Sequence, residues 1–140
     1  MAMGQTDSKH NRRMRMVAKL TKLALVIHQA TEEHTPIRGN FAYGTEAEDR
    51  AAEEFTADLA RRSIWGWCCV VTTAEYAGFN ASTSLGCCSH ESAEDFIKSD
   101  GDTQAFEACA ALLDEIEASI ERGAHARNVL SAVRSGAARK

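Results

Sequence analysis

A single proline stands in 140 residues, aromatic side chains make up only 6% of them, and no run of 18 apolar residues occurs. The missing apolar run excludes a membrane-spanning helix, and no membrane partner is expected. The shortage of aromatics, with no basic residues interleaved among them, argues against a base-stacking nucleic-acid module, so no nucleic-acid partner is expected. Zinc-finger spacing, a glycine-rich phosphate loop, HExxH and GxSxG are all missing, as are kinase and deaminase signatures. Asp100-Gly101-Asp102 has the look of a calcium-loop fragment, but the remaining ligand positions do not follow it. No apolar signal core follows the basic N-terminal stretch, so no secretory leader is expected. The sequence therefore predicts neither a cofactor nor an enzyme.

What is present fits an ordinary globular chain. Hydrophobic residues are 44% and charged residues 26%. At this length one domain can bury a core without a metal or a disulfide. The net charge of -4 is unevenly spread. Residues 1–22 carry +5, residues 23–60 carry -6, residues 91–121 carry -9 and residues 122–140 carry +5. The body is acidic and both ends are basic.

Periodicity predicts a small single-domain α+β fold. Residues 1–11 are expected as a disordered basic tail, 12–134 as the domain and 135–140 as a frayed end. Met16, Leu20, Leu23, Ile27 and Ala30 recur at three and four, which predicts a helix over residues 12–30. Its apolar face is broad enough to suggest burial on more than one side or a partner chain. Residues 31–44 read as a connection, with Phe41 and Tyr43 tacking it down. Thr45 and Glu48 form a capping box for a second helix, with Ala51, Phe55 and Leu59 as its inward stripe. A central antiparallel hairpin is expected over residues 64–73 and 82–88, packed against four or five helices. Trp65 and Trp67 should anchor one face of its first strand. Residues 99–102 read as a tight turn before a long acidic helix starting at Thr103. In that helix Phe106, Cys109, Leu113, Ile116 and Ile120 lie at helical spacing. Val129, Leu130 and Val133 mark a last helix.

The five cysteines are Cys68, Cys69, Cys87, Cys88 and Cys109. Their odd number and the missing leader predict reduced thiols and a cytoplasmic location. A turn centred on Gly78 would set Cys69 against Cys87, Cys68 against Cys88 and Thr73 against Thr83. Adjacent strand residues face opposite ways, so each face of the hairpin would carry one cysteine pair. These pairs are the candidate redox residues. Cys68, Cys88 and His90 are the candidate metal ligands, although four thiolates on a flat strand cannot converge on one ion. Core packing is the competing role for all of them.

Two further constellations carry polar chemistry. Glu33 could orient His34 as a proton shuttle in the loop before Pro36, or the segment simply ends the helix with solvated groups. His28 and Glu32, four residues apart on a helix, would form a half-buried pair. Taken together, the sequence predicts a non-enzymatic regulatory or protein–protein interaction protein, an accessory protein of a bacterium or phage, acting as a homodimer. Arg12, Arg13 and Arg15 on one side, and Glu107, Asp114, Glu115 and Glu117 on the other, are the candidate interaction residues. A thiol redox or metal-binding protein is one alternative. The other is an acidic decoy for a nucleic-acid-binding protein, which requires those carboxylates to form one contiguous surface.

Overall fold

A computed structural model describes residues 8–42 and 44–136. The expected tail residues 1–7 and 137–140, and Tyr43, lie outside the described residues. The chain forms a small α+β fold with a three-stranded antiparallel sheet. Helix α1 spans Lys9–Leu23, strand β1 Leu25–Glu32 and helix α2 Glu46–Arg62. The hairpin follows as β2, Cys68–Tyr76, and β3, Phe79–Cys88. Three helices close the chain: α3 at Ala93–Phe96, α4 at Asp102–Ala118 and α5 at Ala124–Ser135. The sheet order is β1-β2-β3, so β2 is central, as its apolar character on both faces requires.

The first helix is shorter at one end and longer at the other than its periodicity implies. It starts at Lys9, because Ser8 caps it by accepting from the Asn11 backbone N–H at 3.0 Å. It stops at Leu23, and after Ala24 the next eight residues form β1. Val26, Ile27 and Thr31 are β-branched and favour the extended chain. Helical and strand periods coincide through this apolar run, which is why the helix reads on to Ala30. The apparent broad face is thus two elements. Val17 and Leu20 are buried from α1, while β1 leaves Ile27 49% exposed.

The hairpin turn is tighter than a centre at Gly78 would make it. Ala77 and Gly78 form a two-residue loop with φ of 51° and 86°, the positive pair that suits the twist of a hairpin. Thr73 therefore meets Ser82, their hydroxyls 2.8 Å apart, and not Thr83. The one-residue shift is reversed at Cys87. There φ is 56°, and Gly86 and Cys87 are both exposed before Cys88 turns inward. This is a β-bulge, which inserts one residue and restores the face of those beyond it. Trp65 and Trp67 are not on a strand together. Residues 64–66 form a single 3-10 turn, and Trp67 precedes β2.

By contacts the chain divides into two compact units. One holds α1, the start of β1, the hairpin tip and the chain from Ala105 onward. Its core packs Val17 and Leu20 of α1 with Ala74 and Tyr76 of β2. Helix α4 adds Ala108, Cys109, Leu112, Leu113 and Ile116 to that core, and α5 adds Val129, Leu130 and Val133. The α4 stripe is centred one step from the expected one, leaving Phe106 only partly buried, and the helix ends at Ala118, so that the partly buried Ile120 opens a 3-10 turn over Ile120–Arg122.

The other unit holds the rest of β1 and of the hairpin, with α2, α3 and the start of α4. Its core is Cys68, Val70, Cys88 and Phe96, with Ala30, Trp65 and Leu85 against it. Residues 97–101, expected as a tight turn, form a π-helical turn that runs from α3 into α4. Within it Ser99 donates back to the Asp95 carbonyl at 2.9 Å, a side-chain bond of the kind that bends helices. In α2 the capping box of Thr45 and Glu48 is formed. The inward stripe is not: Phe55 is 61% exposed and Thr56 is the buried residue. The 3-10 turn lies so close to the end of α2 that it sets which side of the helix is covered.

Candidate functional site

Helices α1 and α5 and the outer part of α4 border a groove of about 640 Å³. Lys9, Arg12, Arg13, Arg15, Lys19 and Arg134 supply its rim. Met16, Leu113 and Leu130 supply its floor, and Glu117 is its carboxylate. Along α1 the residues Lys9, Arg12, Arg15 and Lys19 follow at three, three and four, which puts them on one side of a helix of 3.6 residues per turn. Two contacts fix the walls. Arg13 donates to Asp114 at 2.5 Å, to Glu117 at 2.9 Å and to the Ala110 carbonyl at 3.2 Å, tying α1 to α4. Lys19 Nζ donates to the Arg134 carbonyl at 2.9 Å, tying α1 to the last turn of α5. There the ammonium sits at the negative end of the helix dipole. Both ties are solvent-accessible, so each contributes no more than about 1 kcal/mol. Their importance is geometric.

Of the seven residues singled out as interaction candidates, the groove gathers Arg12, Arg13, Arg15 and Glu117. Asp114 stands beside it on Arg13, while Glu115 lies 3.8 Å from Arg122 and Glu107 is exposed. The contiguous carboxylate surface that a decoy would need is therefore interrupted, because Arg13 neutralises Asp114 and Glu117 from within the chain. The α5 side of the groove, Leu130 and Arg134, was not among the interaction residues expected from sequence, where Leu130 marked only the last helix. The +5 charge of the C-terminal segment was its only signal.

The cysteines divide by burial. Cys68 and Cys88 are buried together in one core, Cys69 is half-buried and Cys87 is exposed. Burial, reinforced by the neighbouring Cys69 thiol, pushes the Cys68 thiol up to about 11. Burial, with Cys68 next, pushes Cys88 up to about 12. Cys109 is also raised by burial. A thiol so raised supplies almost no thiolate at neutral pH, and thiolate is the form that attacks disulfides and binds metals. His90 has its Nε2 3.1 Å from Asp100. Among the described residues no three His, Cys, Asp or Glu side chains converge as a metal site. Alkylation of the native protein by iodoacetamide at neutral pH should thus modify Cys87 first. Cys68, Cys88 and Cys109 should react only after denaturation, as peptide mapping by mass spectrometry would reveal. Native labelling of Cys68 at the rate of Cys87 would contradict this order.

Glu33 does not orient His34. Its carboxylate accepts from the Cys87 backbone N–H at 2.5 Å and from the Thr35 N–H at 3.1 Å. These two N–H groups, Cys87 first, hold its pKa below the ordinary glutamate value. It acts as a cap on the bulge, and a Cβ on Gly86 would lie 3.3 Å from its oxygen. His28 is not paired with Glu32. On the strand it turns its Nδ1 to Thr72 Oγ1 at 2.7 Å and its ring edge to Phe96, with centroids 5.2 Å apart. Trp67 Nε1 donates to the Thr35 carbonyl at 2.7 Å, and its ring meets Phe41 at 6.1 Å. These contacts tack the connection to the start of β2.

Burial lowers the His28 pKa, and the charge of Asp102 offsets this in part. The folded state thus binds a proton here less readily than the unfolded state, whose histidine titrates near about 6.5. The stabilisation from neutral His28 is fully present above that pH. It is lost as pH falls below it, towards the lower folded pKa. Urea titrations between pH 5 and 8 should show His28→Gln with a flatter loss of stability on the acid side than the parent. Parallel curves would show that His28 is not the group responsible.

Comparison with protein-family models, with curated protein sequences and with solved structures gives no match.

Proposed function

We propose that the protein is a non-enzymatic interaction protein that engages an acidic partner through the groove between α1 and α5. The observation that carries this reading is the gathering of six cationic side chains at one groove lined by a single carboxylate, in a chain whose net charge is negative. A surface of sign opposite to the rest of the molecule steers an acidic partner to one place and repels it elsewhere. Glu117 is held by Arg13 and Lys19 by the Arg134 carbonyl, an arrangement that suits recognition.

The test is an NMR titration of the full chain with sodium polyglutamate at low salt. Amide resonances of α1 and α5 should move, and the shifts should weaken as salt is raised. Replacing Arg12 and Arg15 together with glutamate should reduce the apparent affinity by about tenfold or more, equivalent to about 1.4 kcal/mol. Unchanged affinity in that variant, or shifts confined to other elements, would refute the assignment of the groove.

A further inference from the structure

We infer that β3 is the contact through which a second copy of this chain joins the first, edge to edge, about a two-fold axis at Ser82. The sheet order leaves β3 at one edge, with β1 at the other. Strand β3 runs for 10 residues and contains no Asp, Glu, Lys, Arg or Pro. Such residues ordinarily guard an edge, because an unguarded row of N–H and C=O groups is a template for another strand. By contrast β1 ends in Glu32, with Glu33 next to it. Among the described residues, no element besides β2 bonds to the backbone of residues 80–84.

The hairpin fixes which groups are available. Its two-residue loop sets Tyr76 opposite Phe79. Antiparallel alternation then turns the N–H and C=O of Asn80, Ser82 and Ser84 away from β2. The same alternation makes Thr73 and Ser82 a closely spaced pair, in keeping with their hydroxyls at 2.8 Å. The side chains of Asn80, Ser82 and Ser84 are all exposed. Regular pairing can run only between the hairpin turn and the bulge at Cys87, where the strand bends. The middle of that stretch, residues 79–85, is Ser82. An axis there uses the whole stretch in both copies, and an axis at any other residue shortens the pairing. Ser82 then meets its own counterpart, Asn80 meets Ser84, Ala81 meets Thr83 and Phe79 meets Leu85. No pair sets like charges together, and the outermost pair is apolar on apolar. The outward groups of the two strands face each other in this register, which gives about six main-chain hydrogen bonds. A strand of another protein could reach the same groups by the general mode of strand addition. The symmetry of the stretch about its own middle and its lack of charge favour a second copy, and such a contact closes with two chains.

The experiment is sedimentation equilibrium of the full chain from micromolar to near-millimolar concentration, with amide hydrogen exchange read at both ends of the range. The mass should rise from one chain to two and no further. Protection of the Asn80, Ser82 and Ser84 amides should rise with concentration, whereas the Ala81 and Thr83 amides, which point to β2, stay protected throughout. Asn80→Lys with Ser84→Lys sets like charges opposite each other and should raise the dissociation constant by about tenfold or more. Asn80→Asp with Ser84→Lys sets opposite charges there and should dimerise at least as tightly as the parent. Each variant is compared with the parent by thermal melting. Ser82→Lys, which places like charges at the axis itself, serves if the double lysine variant fails to fold. A single-chain mass throughout, or a mass beyond two chains, overturns the inference. So does a dimer that the lysine replacements leave unchanged. Equal weakening by both double variants overturns the axis at Ser82. Dissociation by Gln29→Lys instead would move the contact to β1 and overturn the assignment to β3.

Discussion

Replacing Phe96 with alanine is expected to lower the unfolding free energy by about 3–5 kcal/mol, the range for deleting a buried aromatic side chain. Phe96 is fully buried and is the largest such side chain among the described residues. Three rings pack on it. The His28 and His90 rings each approach with centroids at 5.2 Å in edge geometry, and the Trp65 ring is tilted at 5.6 Å. Truncation removes the apolar contact and leaves a cavity between two imidazoles that already hold polar partners, Thr72 and Asp100. The site collapses poorly, because collapse would break those bonds. Urea denaturation followed by Trp65 and Trp67 fluorescence measures the loss. Phe96→Leu keeps most of the volume and should cost less than half as much. A loss below about 1 kcal/mol for Phe96→Ala would mean that the ring is not the centre of this core.

The second large effect is expected at Gly66, from the opposite cause. A Cβ there would fall within the van der Waals envelope of the Leu59 carbonyl carbon and the Ala60 nitrogen, and 2.5 Å from the Leu59 oxygen. These are backbone atoms of α2, so no side chain can rotate away. The approach is set by the chain itself. Ser63 closes α2 by donating its N–H to the Leu59 carbonyl at 3.0 Å, and Gly66 N–H then donates to the Ser63 carbonyl at 3.0 Å. Gly66→Ala must push the 3-10 turn away from the helix, and a destabilisation of about 3 kcal/mol is expected, the upper end for overpacking. Thermal melting with circular dichroism would register it. A melting temperature equal to the parent's would show that the turn can move without cost.

These two positions show how far the sequence could be read. Val129, Leu130 and Val133 are legible as one side of α5, because they lie in a segment with a helical period. The capping box at Thr45 is likewise local and needs only Glu48. Strand β1 is hidden for a physical reason. In Leu25-Val26-Ile27 both faces are apolar, so alternation leaves no mark, and the preceding helix lends its own period to the run. The bulge at Cys87 is invisible because an exposed non-glycine residue with positive φ has no composition signal; what holds it is Glu33, 54 residues away. The groove was half legible. Its α1 stripe is a local charge pattern, but its other wall is supplied by residues more than a hundred positions later, and only the packing of α1 against α5 brings them together. The aromatic stack on Phe96 belongs to the same class, since His28 is distant in sequence and its pattern suggested a helical neighbour.

The sheet order also fixes a sequence of events in time. Strands β2 and β3 are joined by two residues, and such a hairpin closes in about 1–10 μs. Strand β1 pairs with β2 only after the 35 residues between Glu32 and Cys68 have been brought round, and that closure must be completed before its contacts return any free energy. Pairing of β1 is therefore the late step. Substitutions in β1 such as Val26→Ala should mainly speed unfolding, whereas substitutions in the hairpin such as Val70→Ala should slow refolding.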